Sequence, residues 1–372
     1  MKKTTVGIGL IGTGFMGRCH ANAYRSVGGL FDLPLVPIPV ILGDASYELA
    51  RKGADVLGFL HFTADWRAVV NHPEVAIVSI TAPNAWHEVM ALEAIAAGKT
   101  VYCEKPLSVT AASALKMTEA AEKAKSVTMV GFNFLRNPMI ATARQMIAAG
   151  EIGEVTGFRA RHAENYMANS DVAHSFRTDL SGGGALADIG SHVISMMRFL
   201  VGPIVEVSAT SKTIHASRPV TPGSAERKPV EVDDMTHALV KMSNGAVGSL
   251  EANWAATART MDLSFEITGT HGAIAFTQER MNELQYYGVN TSERAGYQRI
   301  ESGPQHPPYA QFCPAPGHHL GFNDLKIIEV AELIEAHARK EPGFPDFREA
   351  YEVQRVVEAM LQSHQTRQWV AL

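Results

Sequence analysis

Asp188 and His192 lie four residues apart, so on a helix both side chains project from one face. A histidine near its ordinary pKa can take a proton from an alcohol. A carboxylate one turn away can orient the imidazole and stabilise its charged form. Gly182-Gly183-Gly184 lead into the pair and let backbone approach a ligand closely. Lys105 stands in Glu104-Lys105-Pro106, where an ammonium could stabilise a developing alkoxide and the proline fixes the backbone beyond it. Gly12, Gly14 and Gly17 follow the apolar run Val6, Ile8, Leu10, Ile11 and open a helical pattern. A strand feeding a glycine turn into a helix is the geometry that binds a dinucleotide pyrophosphate. Gly12 permits the tight turn, Gly14 lets phosphates reach the backbone, and Gly17 lets helix and strand pack closely. Taken singly, His192 also reads as a satisfied structural histidine and Lys105 as a solvated charge.

The elements that must position these groups follow from the hydrophobic pattern. A second strand over 39–42 ends at Gly43-Asp44, which places Asp44 to accept hydrogen bonds from the adenosine ribose and favours NAD over NADP. Asp44 also reads as a cap for a helix starting near Tyr47. Its distance from the glycines exceeds the usual ~20 residues, which fits a proline-containing insertion over 28–37. A continuous apolar strand over 75–80, a helix over 86–97, a strand Thr100–Cys103, a helix capped by Thr110 and a strand over 127–130 continue the alternation. This predicts a doubly wound parallel sheet whose ligands lie at the carboxyl ends of the strands, where Thr81, Pro83, Asn84 and Glu104-Lys105-Pro106 fall.

After Gly131 the pattern changes. A helix over 138–149 and a strand over 155–162 are followed by a helix over 186–200. Strand-like runs then come at Ile204–Lys212, 236–242, 246–252, 263–268 and 273–277, with Asn244-Gly245 as a hairpin signal between two of them. Such a succession predicts an α+β domain built on a largely antiparallel open sheet. Helices over 324–338 and 347–362 close the chain, and 217–228 and 302–316 read as loops. The expected division is a dinucleotide-binding domain over 1–133 and a substrate-binding and oligomerisation domain over 134–372.

A length of 372 residues favours two domains, and 46% hydrophobic with 19% charged residues describes a globular chain. A net charge of −5 offers no basic stripe for nucleic acid, and no apolar run is long enough to span a membrane. Met1-Lys2-Lys3 leads into a strand rather than a signal peptide, and Cys19, Cys103 and Cys313 show no metal-binding spacing. A cytoplasmic location is the expectation, with no metal.

In this order and spacing, GTGFMG, EKPLS, GFNFLRNP and GGGALADIGSH closely resemble the Gfo/Idh/MocA oxidoreductase family over essentially the whole chain. The resemblance implies an N-terminal Rossmann domain and a C-terminal α/β domain with an open sheet. It implies that Lys105, Asp188 and His192 are the catalytic lysine, aspartate and histidine. It further implies cofactor contacts at Gly12, Gly14, Phe15, Met16, Asp44, Thr81, Pro83, Asn84, His87, Glu104 and Lys105. Family members oxidise ring hydroxyls of sugars and cyclitols, and GFMG, the 28–37 stretch and 314–326 look most like members acting on anhydrosugars and glycosides. Asn165, Tyr166, Arg177 and His318, with Lys105, Asp188 and His192, are polar types suited to a sugar; His318-His319 lacks a recognisable third metal ligand. The activity implied is an NAD-dependent dehydrogenase. The alternatives are a non-catalytic NAD or sugar sensor and a redox-neutral, NAD-dependent glycoside-cleaving enzyme. A homodimer or homotetramer through the C-terminal sheet is the expected assembly.

Overall fold

The computed structural model describes residues 4–289 and 295–372. Packing divides the chain into two units: Met1–Arg136 with Gly321–Glu352, and Asn137–Leu320 with Val353–Leu372. The first unit alternates strand and helix as β1 (Thr5–Ile11), α1 (Phe15–Leu30), β2 (Val36–Gly43), α2 (Tyr47–Leu57), β3 (His61–Thr63), α3 (Trp66–Val70), β4 (Ile77–Ile80), α4 (His87–Ala96), β5 (Thr100–Cys103), α5 (Ala111–Ala124) and β6 (Thr128–Val130). The six strands form a parallel sheet in the order β3-β2-β1-β4-β5-β6. Every residue of β4 and β5 is buried, as expected of parallel strands covered on both faces.

Local chemistry sets these boundaries. The Ser46 hydroxyl accepts from the Leu49 amide to start α2, and Gly58 ends it at φ 78°. The Thr110 hydroxyl accepts from the Ser113 amide at the head of α5. The stretch 28–37, expected as an insertion, is largely regular: α1 continues to Leu30 and β2 begins at Val36. Pro37 and Pro39 are tolerated there because β3 pairs only with Ile41–Gly43, leaving the start of β2 with one neighbour.

The second unit contains α6 (Pro138–Ala148), β7 (Val155–Ala163), a π-helical turn Leu186–Gly190, α7 (Ser191–Val201), β8 (Ile204–Lys212), β9 (Ser217–Pro219), β10 (Arg227–Pro229), β11 (Met235–Met242), β12 (Val247–Asn253), β13 (Asp262–Gly269), β14 (Gly272–Thr277), β15 (Glu283–Gly288) and β16 (Gln298–Glu301). Later in the chain come α8 (Phe322–Arg339), α9 (Phe347–Thr366) and β17 (Val370–Ala371). Among the described residues the main sheet has nine strands in the order β16-β15-β14-β13-β7-β12-β11-β8-β17, antiparallel except for β7 beside β12. In β11, buried Thr236, Ala238, Val240 and Met242 alternate with exposed His237, Leu239 and Lys241. Arg159, Arg161, His237, Leu239, Glu251 and Glu266 line a hollow of about 800 Å³ on the sheet's open face.

Three features differ from the sequence reading. Residues 321–352, expected within 134–372, pack in the first unit, with Phe322 of α8 stacked on Phe15 at 5.6 Å. The 217–228 loop contains the paired strands β9 and β10. The helix expected over 186–200 opens with a π turn before α7. Among the described residues no helix is long and apolar enough to cross a membrane.

Candidate active site

In the first unit the glycine turn joins β1 to α1. Gly12 has φ 104°, and a Cβ there would meet the Thr81 hydroxyl at 2.8 Å. A Cβ on Gly17 would sit 2.0 Å from the Gly12 carbonyl oxygen. At Gly14, by contrast, a Cβ would meet nothing within 4 Å, and the first turn of α1 has no side-chain cap there. Two glycines are thus required by the protein's own packing, while the third leaves backbone open at a helix N-terminus. This fits a phosphate-bearing cofactor. Thr81 locks the turn by donating to the Ile11 and Gly12 carbonyls at 2.9 and 3.1 Å. Asp44 Oδ2 accepts from the amide and hydroxyl of Thr13 at 2.8 and 2.6 Å, so the carboxylate lies against the glycine turn. Phe15 is exposed, Met16 is half-buried, and Pro83 and Asn84 open the 3-10 turn before α4.

Two of the expected cofactor residues, His87 and Glu104, are buried and hydrogen-bonded within the protein. His87 is buried, with Nδ1 2.9 Å from the Pro106 carbonyl and Nε2 2.9 Å from that of Ala82. Burial lowers its pKa, and the ring sits between the turn after β4 and the turn after β5. Glu104 is also buried: its Oε1 accepts from His20 Nε2 at 2.8 Å and from Lys326 Nζ at 2.9 Å, and Oε2 accepts from the Lys105 amide at 3.3 Å. Burial alone would raise the Glu104 carboxyl, but Lys326 and His20 hold it well below the usual carboxylate range. Lys105 itself is half-buried at the end of β5.

In the second unit the structure brings Tyr166, Arg177 and Asp188 together. Asp188 Oδ2 accepts from the Tyr166 hydroxyl at 3.0 Å and from Arg177 Nε at 3.1 Å. His192 is 7% exposed, in the first turn of α7, and its ring lies 5.6 Å from that of His162. His162 occupies an inward position of β7, with Nδ1 2.9 Å from the Ile189 carbonyl and Nε2 2.8 Å from Glu164 Oε1. The π turn is docked by Asp233, whose Oδ2 accepts from the Leu186 amide at 3.1 Å and the Thr236 hydroxyl at 2.9 Å. Burial raises the Asp233 carboxyl to about 6 despite these hydrogen bonds. Gly184 leaves room for it, since a Cβ would meet Asp233 Oδ1 at 2.3 Å. Asn165 is exposed just after β7, and His318 and His319 are exposed between β16 and α8.

His20, His162, Asp233, Lys326 and Glu329 were absent from the sequence reading. Lys326 did carry a signal: its i−4 and i+4 neighbours on α8 are Phe322 and Val330, an apolar stripe in which a lysine is out of place.

A parallel sheet of this order with an open glycine turn at its first strand is the geometry of a dinucleotide-binding domain. Comparison with known proteins agrees. The profile described as oxidoreductase family, NAD-binding Rossmann fold, matches residues 6–132, and the GFO/IDH/MocA C-terminal domain matches 140–275. The chain belongs to the Gfo/Idh/MocA family and is an NAD-binding oxidoreductase of the sugar dehydrogenase type. It is 36% identical to levoglucosan dehydrogenase of Pseudarthrobacter phenanthrenivorans over 378 residues, covering 98% of this chain and 97% of the relative. It is 32% identical to an inositol 2-dehydrogenase of Pseudomonas fluorescens over 196 residues, which is 52% of this chain and 54% of that protein. A solved levoglucosan dehydrogenase in complex with NADH and levoglucosan superposes with a TM-score of 0.96 at 36% identity, over 99% of each chain. An NAD-binding oxidoreductase from Klebsiella pneumoniae gives a TM-score of 0.93 at 40% identity, over 99% of this chain and 98% of that one.

Proposed function

We propose that this enzyme oxidises a secondary ring hydroxyl of a sugar or anhydrosugar, with His192 as the base. The observation that carries the reading is a nearly buried His192 at the head of α7, four residues after an Asp188 whose carboxylate is held by Tyr166 and Arg177. Bound NAD supplies the hydride acceptor. The backbone at Gly14 and the head of α1 would bind its pyrophosphate, and Asp44 its adenosine ribose. His192 takes the hydroxyl proton as the alcohol carbon becomes a carbonyl, and Asp188 steadies the resulting imidazolium. Lys105 polarises the reacting hydroxyl and stabilises its developing negative charge. Asn165, Tyr166, Arg177 and His318 are assigned to the remaining hydroxyls of the sugar. The full-length similarity to levoglucosan dehydrogenase makes levoglucosan the first substrate to try.

The test is NADH formation across levoglucosan, glucose, galactose, xylose, inositols and β-glucosides, with NAD and NADP in parallel. Signal with NAD and a pyranose or anhydrosugar is expected; bound NAD with no turnover on any of them overturns the reading. The open face of the nine-stranded sheet is assigned to self-association, and a monomer by light scattering removes that assignment.

A further inference from the structure

Lys326 is fully buried on α8, within the first unit, and joins Glu329 on its own helix to Tyr102 and Glu104 more than 200 positions earlier. Its ammonium has three protons and three acceptors: Glu104 Oε1 at 2.9 Å, Glu329 Oε2 at 2.6 Å and the Tyr102 hydroxyl at 2.9 Å. The Tyr102 hydroxyl in turn donates to Glu329, and the His20 ring stacks on Tyr102 with centroids 4.4 Å apart. His20 Nε2 donates to the Glu104 oxygen that Lys326 also holds. Glu329 Oε1 and His20 Nδ1 are buried without a hydrogen-bond partner.

An ion cluster of this kind is a poor way to gain stability, because desolvating the charges offsets most of their attraction. Its geometry has another use. Glu104 has one oxygen on Lys326 and the other on the Lys105 amide, so the carboxylate ties Lys326 to the backbone of Lys105. Gly131 backs the same carboxylate from just after β6, where a Cβ would sit 2.6 Å from Glu104 Oε1. We propose that Lys326 is a positioning residue for Lys105, fixing the Glu104-Lys105-Pro106 turn through the Glu104 carboxylate. The proposal rests on the reading that Lys105 acts on the substrate hydroxyl. Burial favours the neutral forms of Lys326 and Glu104, but their mutual attraction keeps both charged. His20 stays neutral, chiefly through burial and then the Lys326 charge, and donates through Nε2.

Three variants test this: Lys326→Met, Glu104→Gln and the double variant. A turn displaced by about 1 Å costs on the order of 10²-fold in turnover. Lys326→Met should therefore lose roughly 10- to 100-fold in kcat, with sugar KM and NAD affinity within about threefold of wild type. The double variant should be no worse than Lys326→Met alone, since both changes cut one link. A loss confined to thermal stability, or losses that multiply, overturns the proposal. Should Lys326→Met fail to fold, Gly131→Ala displaces the same carboxylate with Lys326 intact and should give the same kcat loss; unchanged kcat overturns the proposal. A readout in the protein without cofactor separates this from failure of the dehydrogenase reading. Reductively 13C-methylated Lys105 should shift its NMR resonance in Lys326→Met or Gly131→Ala. An unmoved resonance contradicts the proposal whatever the substrate.

Discussion

In the first unit the turn bearing Lys105 is anchored by charge: a buried ammonium, two carboxylates and a tyrosine, all shielded from water. In the second unit Asp188 is held at a wetter edge by Tyr166 and by an Arg177 whose side chain is 43% exposed. The helix start beneath it is docked by Asp233 through a backbone amide and a hydroxyl. The contrast matches the proposed tasks. A lysine that must present a fixed positive charge gains from a rigid support, while a carboxylate that steadies an imidazolium is served by hydrogen bonds that hold its orientation.

Each prediction strains one side of that contrast. Lys105→Met should lower turnover by about 10²–10³, as loss of an electrostatic stabiliser does, and leave the second unit's thermal transition unchanged; steady-state kinetics with calorimetry checks both. Asp233 acts on stability with a definite sign. Its folded pKa of about 6 exceeds the ordinary 3.8, so the native state holds the extra proton between those values, and stability falls as pH rises through that window. Asp233→Asn keeps an acceptor for the Leu186 amide. It should abolish the slope and be more stable at neutral pH by up to about 3 kcal/mol, read from unfolding at pH 4 and pH 7. Gly17→Ala forces a Cβ to 2.0 Å from the Gly12 carbonyl and should cost about 1–3 kcal/mol, with weakened NAD binding. Tyr166→Phe removes one hydrogen bond to Asp188 and should cost about 0.5–1.5 kcal/mol in kcat/KM, with NAD affinity unchanged.

The first unit was readable because its signals are local. Buried parallel strands such as Ile77–Ile80 and Thr100–Cys103 are continuous apolar runs, and the glycine turn is contiguous in sequence. The antiparallel strands β11 and β12 were betrayed by alternation around Asn244-Gly245, whereas β15 and β16 have too many polar residues to stand out. The supports of the site were not readable for the opposite reason. Lys326 and Glu104 are 222 positions apart, so the apolar stripe around Lys326 marks it as out of place without pointing to its partner. His162 looks like any strand residue until the π turn brings the Ile189 carbonyl to it. The resemblance placed His87 and Glu104 among the cofactor contacts. In this structure both side chains also bond the turns after β4 and β5.

The most direct test of the division of labour is a paired measurement on His192→Ala. NAD affinity by calorimetry and turnover on the best sugar of the panel are taken from the same preparation. With His192 as the base, turnover falls by about 10²–10⁴ while NAD affinity stays within twofold. Equal loss of affinity and turnover would make His192 a structural residue, and unchanged turnover would move the proton to another group.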